Sequence, residues 1–103
     1  MEYSPKISEK IENHFFALSP EERTLVISHG VAVQFSDLNK RLFLAVSKVR
    51  FFEEKYNTTL SEIKNKGLPN NADYEMHEDY IMWCHWSETA EKFKRQIKEI
   101  ISL

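Results

Sequence analysis

Val31, Phe35, Leu38, Leu42, Ala45, Val49, Phe52 and Tyr56 follow one another at steps of 4, 3, 4, 3, 4, 3 and 4 residues. An alternating four-three step keeps apolar side chains on one narrow stripe of an α-helix, the a/d seam along which helices zip together. A half-buried strand would alternate in twos. The stripe runs without a slip to Tyr56, so this helix needs a partner of comparable length.

Its start is marked by Ser19-Pro20-Glu21-Glu22. Ser19 can accept from the backbone N–H three residues on, and Glu22 can reach back to the Ser19 N–H. Pro20 lacks a donor where none is needed. Leu25 to Phe35 reads two ways. Leu25, Val26, Ile27, Val31 and Val33 suit a strand, with His29-Gly30 as a hairpin turn. The heptad register favours a helix from Pro20 to about Tyr56, bent or broken near Gly30 as the alternative. Unbroken, it would span roughly 55 Å, wider than a globule of this length, so it must pair with another long helix or another chain.

A second stripe supplies such a helix. Met76, Tyr80, Trp83, Trp86, Ala90, Phe93, Ile97 and Ile100 step by 4, 3, 3, 4, 3, 4 and 3. The doubled three at Trp83–Trp86 is a local overwinding. Glu75, Glu78 and Asp79 near its start and Lys92, Lys94, Arg95 and Lys98 near its end complement the macrodipole. Between the long helices, Asn57-Thr58-Thr59 ends the first. Thr59-Leu60-Ser61-Glu62 opens a short helix to Lys66, Gly67 is placed as a left-handed cap, and Leu68 to Asp73 is a loop. Ile7, Ile11, Phe15 and Leu18 mark a short N-terminal helix after Ser4-Pro5, with Ser4 as its cap.

The expected fold is therefore all-α and a single helical domain over 1–103. It is an antiparallel helical hairpin of long helices at about 20–56 and 74–101, with a short N-terminal helix and a short connecting helix at about 59–66. Only 2 glycines and 3 prolines stand in the chain, which disfavours a many-stranded sandwich and a Gly-rich phosphate loop. A single cysteine, Cys84, rules out an internal disulfide. The opening stretch has no basic leader before an apolar run, and no apolar run is long enough to cross a bilayer, so a cytoplasmic protein is expected without a membrane partner.

With 14 basic and 16 acidic residues the net charge is −2, which gives no general attraction to nucleic acid. Lys40, Arg41, Lys48 and Arg50, interleaved with Phe43 and Phe51, could line a nucleic-acid groove. A solvated helix face is the simpler account. His77, Cys84 and His85 offer zinc-type donors, but i, i+7 and i+8 spread them over two turns, and a small buried Cys beside surface histidines suits them better. No Ser-His-Asp arrangement, Walker loop, H-E-x-x-H or paired C-x-x-C occurs. No enzyme, metal or cofactor is expected. Phe43, Phe51 and Ile81 lie off the seams, either packed on the first helix or spare for a partner.

Phe52-Glu53-Glu54-Lys55-Tyr56-Asn57, Leu60, Glu62, Gly67-Leu68-Pro69, Ala72 to Tyr80 (ADYEMHEDY) and Trp83 form a further pattern. This segment, about residues 50–83, resembles small helical prokaryotic proteins that are the antitoxin halves of two-gene toxin–antitoxin modules. Asn57 stands where that family usually has Gly, and Asn tolerates the left-handed conformation. The resemblance implies a non-enzymatic protein-binding module that neutralises a cognate toxin, a ribonuclease or nucleotidyl-modifying enzyme, by covering its active site. Tyr74, Glu75, Glu78, Asp79, Tyr80 and Trp83 would be the contact residues, their carboxylates standing in for phosphates. Two other readings stand beside it. One is a self-associating helical protein whose seams make a homo-oligomer; the other is a small nucleic-acid-associated regulator.

Overall fold

The two long stripes lie on two long helices. The computed structural model describes the backbone of residues 5–103 and side chains from residue 7 onward. Within them α1 spans Pro5–Ala17, α2 Pro20–Tyr56, α3 Leu60–Lys66 and α4 Tyr74–Ile101, with no strand among the described residues. The expected Ser4 cap lies outside the described residues. The chain divides into two compact units, Met1–Gln34 and Phe35–Leu103.

In the first unit, α1 ends at Ala17 and the chain re-enters a helix at Pro20. The predicted capping box forms in full. The Ser19 N–H donates to Glu22 Oε1 at 3.1 Å, and the Glu22 N–H donates to Ser19 Oγ at 3.1 Å. The Ser19 N–H, then the Ser19 hydroxyl, hold the Glu22 carboxyl below its ordinary value. Arg23 stands where an apolar staple would, and its Nε donates to the Leu18 carbonyl at 3.2 Å. Leu25 to Phe35 is helical and Gly30 does not interrupt α2. Elongating a helix costs less than ending one and nucleating another. That outweighs the few tenths of a kcal/mol by which each β-branched residue disfavours it.

In the second unit, α2 from Phe35 onward and α4 run antiparallel. Val46 shares a depression with Lys94, while Tyr56 bonds Asp79. Leu38, Ala45 and Phe52 are buried on α2, and Trp83, Ala90 and Ile97 on α4. All are predicted seam positions. α3 closes the end of the hairpin with Leu60 and Ile63, which join Phe52 and Trp83 in one core cluster. Trp83 is 1% exposed and stacks on Phe52 and on Tyr56, at centroid distances of 5.8 and 6.1 Å.

The turns show what each cap residue contributes. Asn57 takes φ 51°, and the Thr58 N–H donates to the Glu53 carbonyl at 3.3 Å, the six-to-one bond of a Schellman end. Thr59 caps α3 by accepting from the Glu62 N–H at 3.2 Å. The Glu62 carboxylate does not complete the expected box. It accepts from the Thr58 hydroxyl at 2.7 Å instead. Gly67 has positive φ as expected, but its φ 78°, ψ 169° is an extended conformation and not the left-handed helical one. Glycine alone adopts it readily, and it turns the chain toward Pro69.

Candidate functional site

Asp73 sets the geometry of the candidate surface. Its carboxylate accepts from the Met76 N–H at 2.9 Å and fixes where α4 begins. The next turns then sort the six predicted contact residues into three groups.

Tyr74 and Glu78, four apart, share the outer face of α4. Tyr74 is 79% exposed and Glu78 is exposed. Ile81, Met82 and His85 continue this face and are also exposed. Glu75 and Asp79 turn toward α2, where Lys55 Nζ donates to Glu75 Oε1 and to Asp79 Oδ2, each at 2.6 Å. The Tyr56 hydroxyl donates to the same Asp79 oxygen at 2.5 Å. Tyr80 is half-buried and packs against the core, while Trp83 lies inside it.

Trp83 therefore presents no surface to a partner. The reason is its own seam position. Facing α2, this tryptophan, the largest fully buried side chain among the described residues, fills the core and supports the turn that carries Tyr80 and Asp79. Asp79 is likewise committed within the chain. The Lys55 ammonium first, and then the Tyr56 hydroxyl, hold its carboxyl below the ordinary range. The carboxylates in turn hold the Lys55 ammonium charged well above its ordinary value, Asp79 contributing more than Glu75. Burial and then the Asp79 hydrogen bond raise the Tyr56 phenol.

Sequence reasoning missed Lys55 as a member of this cluster and Met82 as a member of the outer face. Lys55 was legible only as a motif letter, since its acids lie 20 and 24 residues away. Met82 follows Ile81, one off the seam, and the pair widens the outer face into an apolar patch beside Glu78.

A depression of about 210 Å³ lies beneath this end of the hairpin, lined by Tyr56, Thr58, Glu62, Ile63, Lys66, Gly67, Pro69 and Met76. It is smaller than the roughly 300 Å³ at which ordinary small-molecule sites begin. Among the described residues no three of His, Cys, Asp or Glu are placed to hold a metal ion. Of the nearby zinc-type donors, Cys84 is half-buried and His85 packs edge-on to Trp86 at 5.3 Å. On α2, Arg41 Nε is paired with Asp37 at 3.0 Å. No described helix is long and apolar enough to cross a membrane.

No family model, curated protein or solved structure matches the chain.

Proposed function

We propose that this chain is a non-enzymatic, cytoplasmic protein-binding module of the antitoxin kind, which neutralises a cognate toxin by covering a basic active-site surface. The observation that carries the reading is the outer face of α4. It joins a carboxylate with no ion-pair partner among the described residues, Glu78, to an exposed phenol, Tyr74, and to the apolar side chains of Ile81 and Met82. Aromatic and aliphatic anchors rimmed by charge are what a protein partner buries well. A carboxylate above a phosphate-binding groove replaces the charge that such a groove attracts. Glu75 and Asp79 serve differently from Glu78. Their pairing with Lys55 fixes the helix that presents the face. The F-E-x-K-Y and Y-E-x-x-x-D-Y elements of the antitoxin-like pattern meet at that ion pair.

The test is co-expression with the product of the adjacent reading frame. Growth arrest by the neighbour, its relief by this chain and a complex that survives gel filtration are the expected results. The double variant Tyr74→Ala/Glu78→Gln should weaken the complex at least tenfold, about 1.4 kcal/mol or more, with unchanged helicity. A harmless neighbour, or a toxic one indifferent to this chain, would remove the reading.

A further inference from the structure

The outer face of α2 opposes its seam and carries a symmetric arrangement of residues. Lys40, Phe43, Ser47, Phe51 and Glu54 stand at steps of 3, 4, 4 and 3, so the series reads the same about Ser47 in both directions. Phe43 is 75% exposed and Phe51 57%, with Leu44 beside them at 49%. Lys40 and Glu54 are exposed, and neither forms an ion pair among the described residues. Seven residues to one side of Ser47 stands a cation, and seven to the other side an anion.

We propose that this face binds a second copy of the chain, α2 against α2 and antiparallel, with the two-fold axis at Ser47. In an antiparallel pair, residue 47 + k of one copy meets residue 47 − k of the other. Lys40 of each copy then meets Glu54 of its mate, and Phe51 falls at the level of Phe43 and Leu44. Lys40, Phe43, Leu44 and Ser47 stand at i, i+3, i+4 and i+7, the four corners of the hole that receives a knob in helix packing. Phe51 of the mate is that knob, and the symmetry makes the contact twice. A parallel pair would set Lys40 against Lys40 and Glu54 against Glu54, which repel.

Two details of the structure suit this role. The Ser47 hydroxyl donates to the Phe43 carbonyl of its own helix at 2.7 Å, so the crossing point brings a small side chain with its donor already satisfied. Phe51 is exposed, yet the core residue Phe52 braces its ring edge-on at 5.3 Å. A knob held in place loses less side-chain freedom on docking. The strip from Lys40 to Glu54 is about 21 Å long, short for an obligate interface, so association should depend on concentration.

Sedimentation equilibrium of the full chain across a wide concentration range is the first measurement. The mass should rise from the 12.2 kDa monomer toward twice that value. The double variant Phe43→Ser/Phe51→Ser, altered only on the exposed face, should weaken association at least tenfold while circular dichroism stays unchanged. Lys40→Glu should weaken it as well, and adding Glu54→Lys to that variant should restore it. Direction is read by cross-linking in a Cys84→Ser background. Ser47→Cys should form a disulfide dimer and Lys40→Cys should not, because antiparallel mates keep those two positions about 21 Å apart. A monomer at every concentration overturns the proposal. So does a dimer untouched by the Phe substitutions, a Lys40→Cys cross-link, or capture of this face by a different protein or by nucleic acid alone. None of these outcomes bears on the α4 face.

Discussion

Asp79 accepts from both Lys55 and Tyr56, and it is the residue where charge and packing meet. Because its carboxyl is held below its ordinary value of 3.8 in the folded chain, it binds a proton less readily there than in the unfolded one. Its stabilising contribution is thus complete above the unfolded value and lost as pH falls through the lowered folded one. Lys55 and Tyr56 shift upward, so their share is present at neutral pH and goes only on the alkaline side. We expect the melting temperature to be flat through the neutral range and to drop below about pH 4. In Asp79→Asn the plateau should be lower and the acid drop shallower. Thermal melts followed by circular dichroism at a series of pH values check this, and parallel acid limbs for the two proteins would contradict it. Trp83 shows the matching limit of sequence reading at this scale. As a motif letter it looked like a contact. As a member of the stripe with Tyr80 and Ala90 it is a core residue, and the structure places it in the core cluster at 1% exposure.

The helices themselves were legible because their stripes, caps and breakers agreed with one another. Every predicted seam residue of α4 is buried or half-buried, and on α2 only Phe35, at 37%, falls outside that range. The ambiguous part was Leu25 to Phe35, where β-branched residues and Gly30 spoke for a turn. Local propensity lost there to elongation from a strong cap at Ser19. What single residues could not reveal was the ψ of Gly67 or the preference of Glu62 for Thr58, since both depend on where the neighbouring turn lands. The two glycines accordingly differ in what a methyl group would do. A Cβ at Gly30 meets open space in a regular helix. Gly30→Ala should therefore stabilise the protein by about 0.5–1 kcal/mol through helix propensity. Gly67→Ala also meets open space, but at φ 78°. It should destabilise by about 1–3 kcal/mol, because an L-residue is strained there. Urea titrations of both variants measure the pair; equal signs would overturn the assignment of Gly30 to a continuous helix or of Gly67 to a positive-φ turn.

Buried apolar contact is spread unevenly over the whole molecule. Among the described residues the eight buried hydrophobic ones, from Leu38 to Ile97, all belong to the unit Phe35–Leu103. Among the described side chains of 7–34 none is fully buried, and Ile7, Ile11, Leu25, Val26, Ile27 and Val33 are each at least half exposed. A backbone hydrogen bond opens as often as the packing around it allows, so local stability should follow this division. Amide hydrogens of α2 and α4 around Phe52, Trp83 and Ala90, and those of α3 near Ile63, should exchange only through global unfolding. Those from Glu9 to Gly30 should exchange at least about tenfold faster, through local opening of helix not anchored by a core. Hydrogen–deuterium exchange resolved by peptide reads this directly, at a protein concentration low enough to keep the chain monomeric. Uniform protection along the chain would mean that residues 7–34 draw stability from contacts their exposure does not record. A sharp step near Phe35 would instead assign the stability of this protein to the end of the hairpin held by Trp83. The Tyr74–Glu78 face would then stand on the most rigid part of the molecule, as a binding surface needs if little order is to be lost when a partner docks.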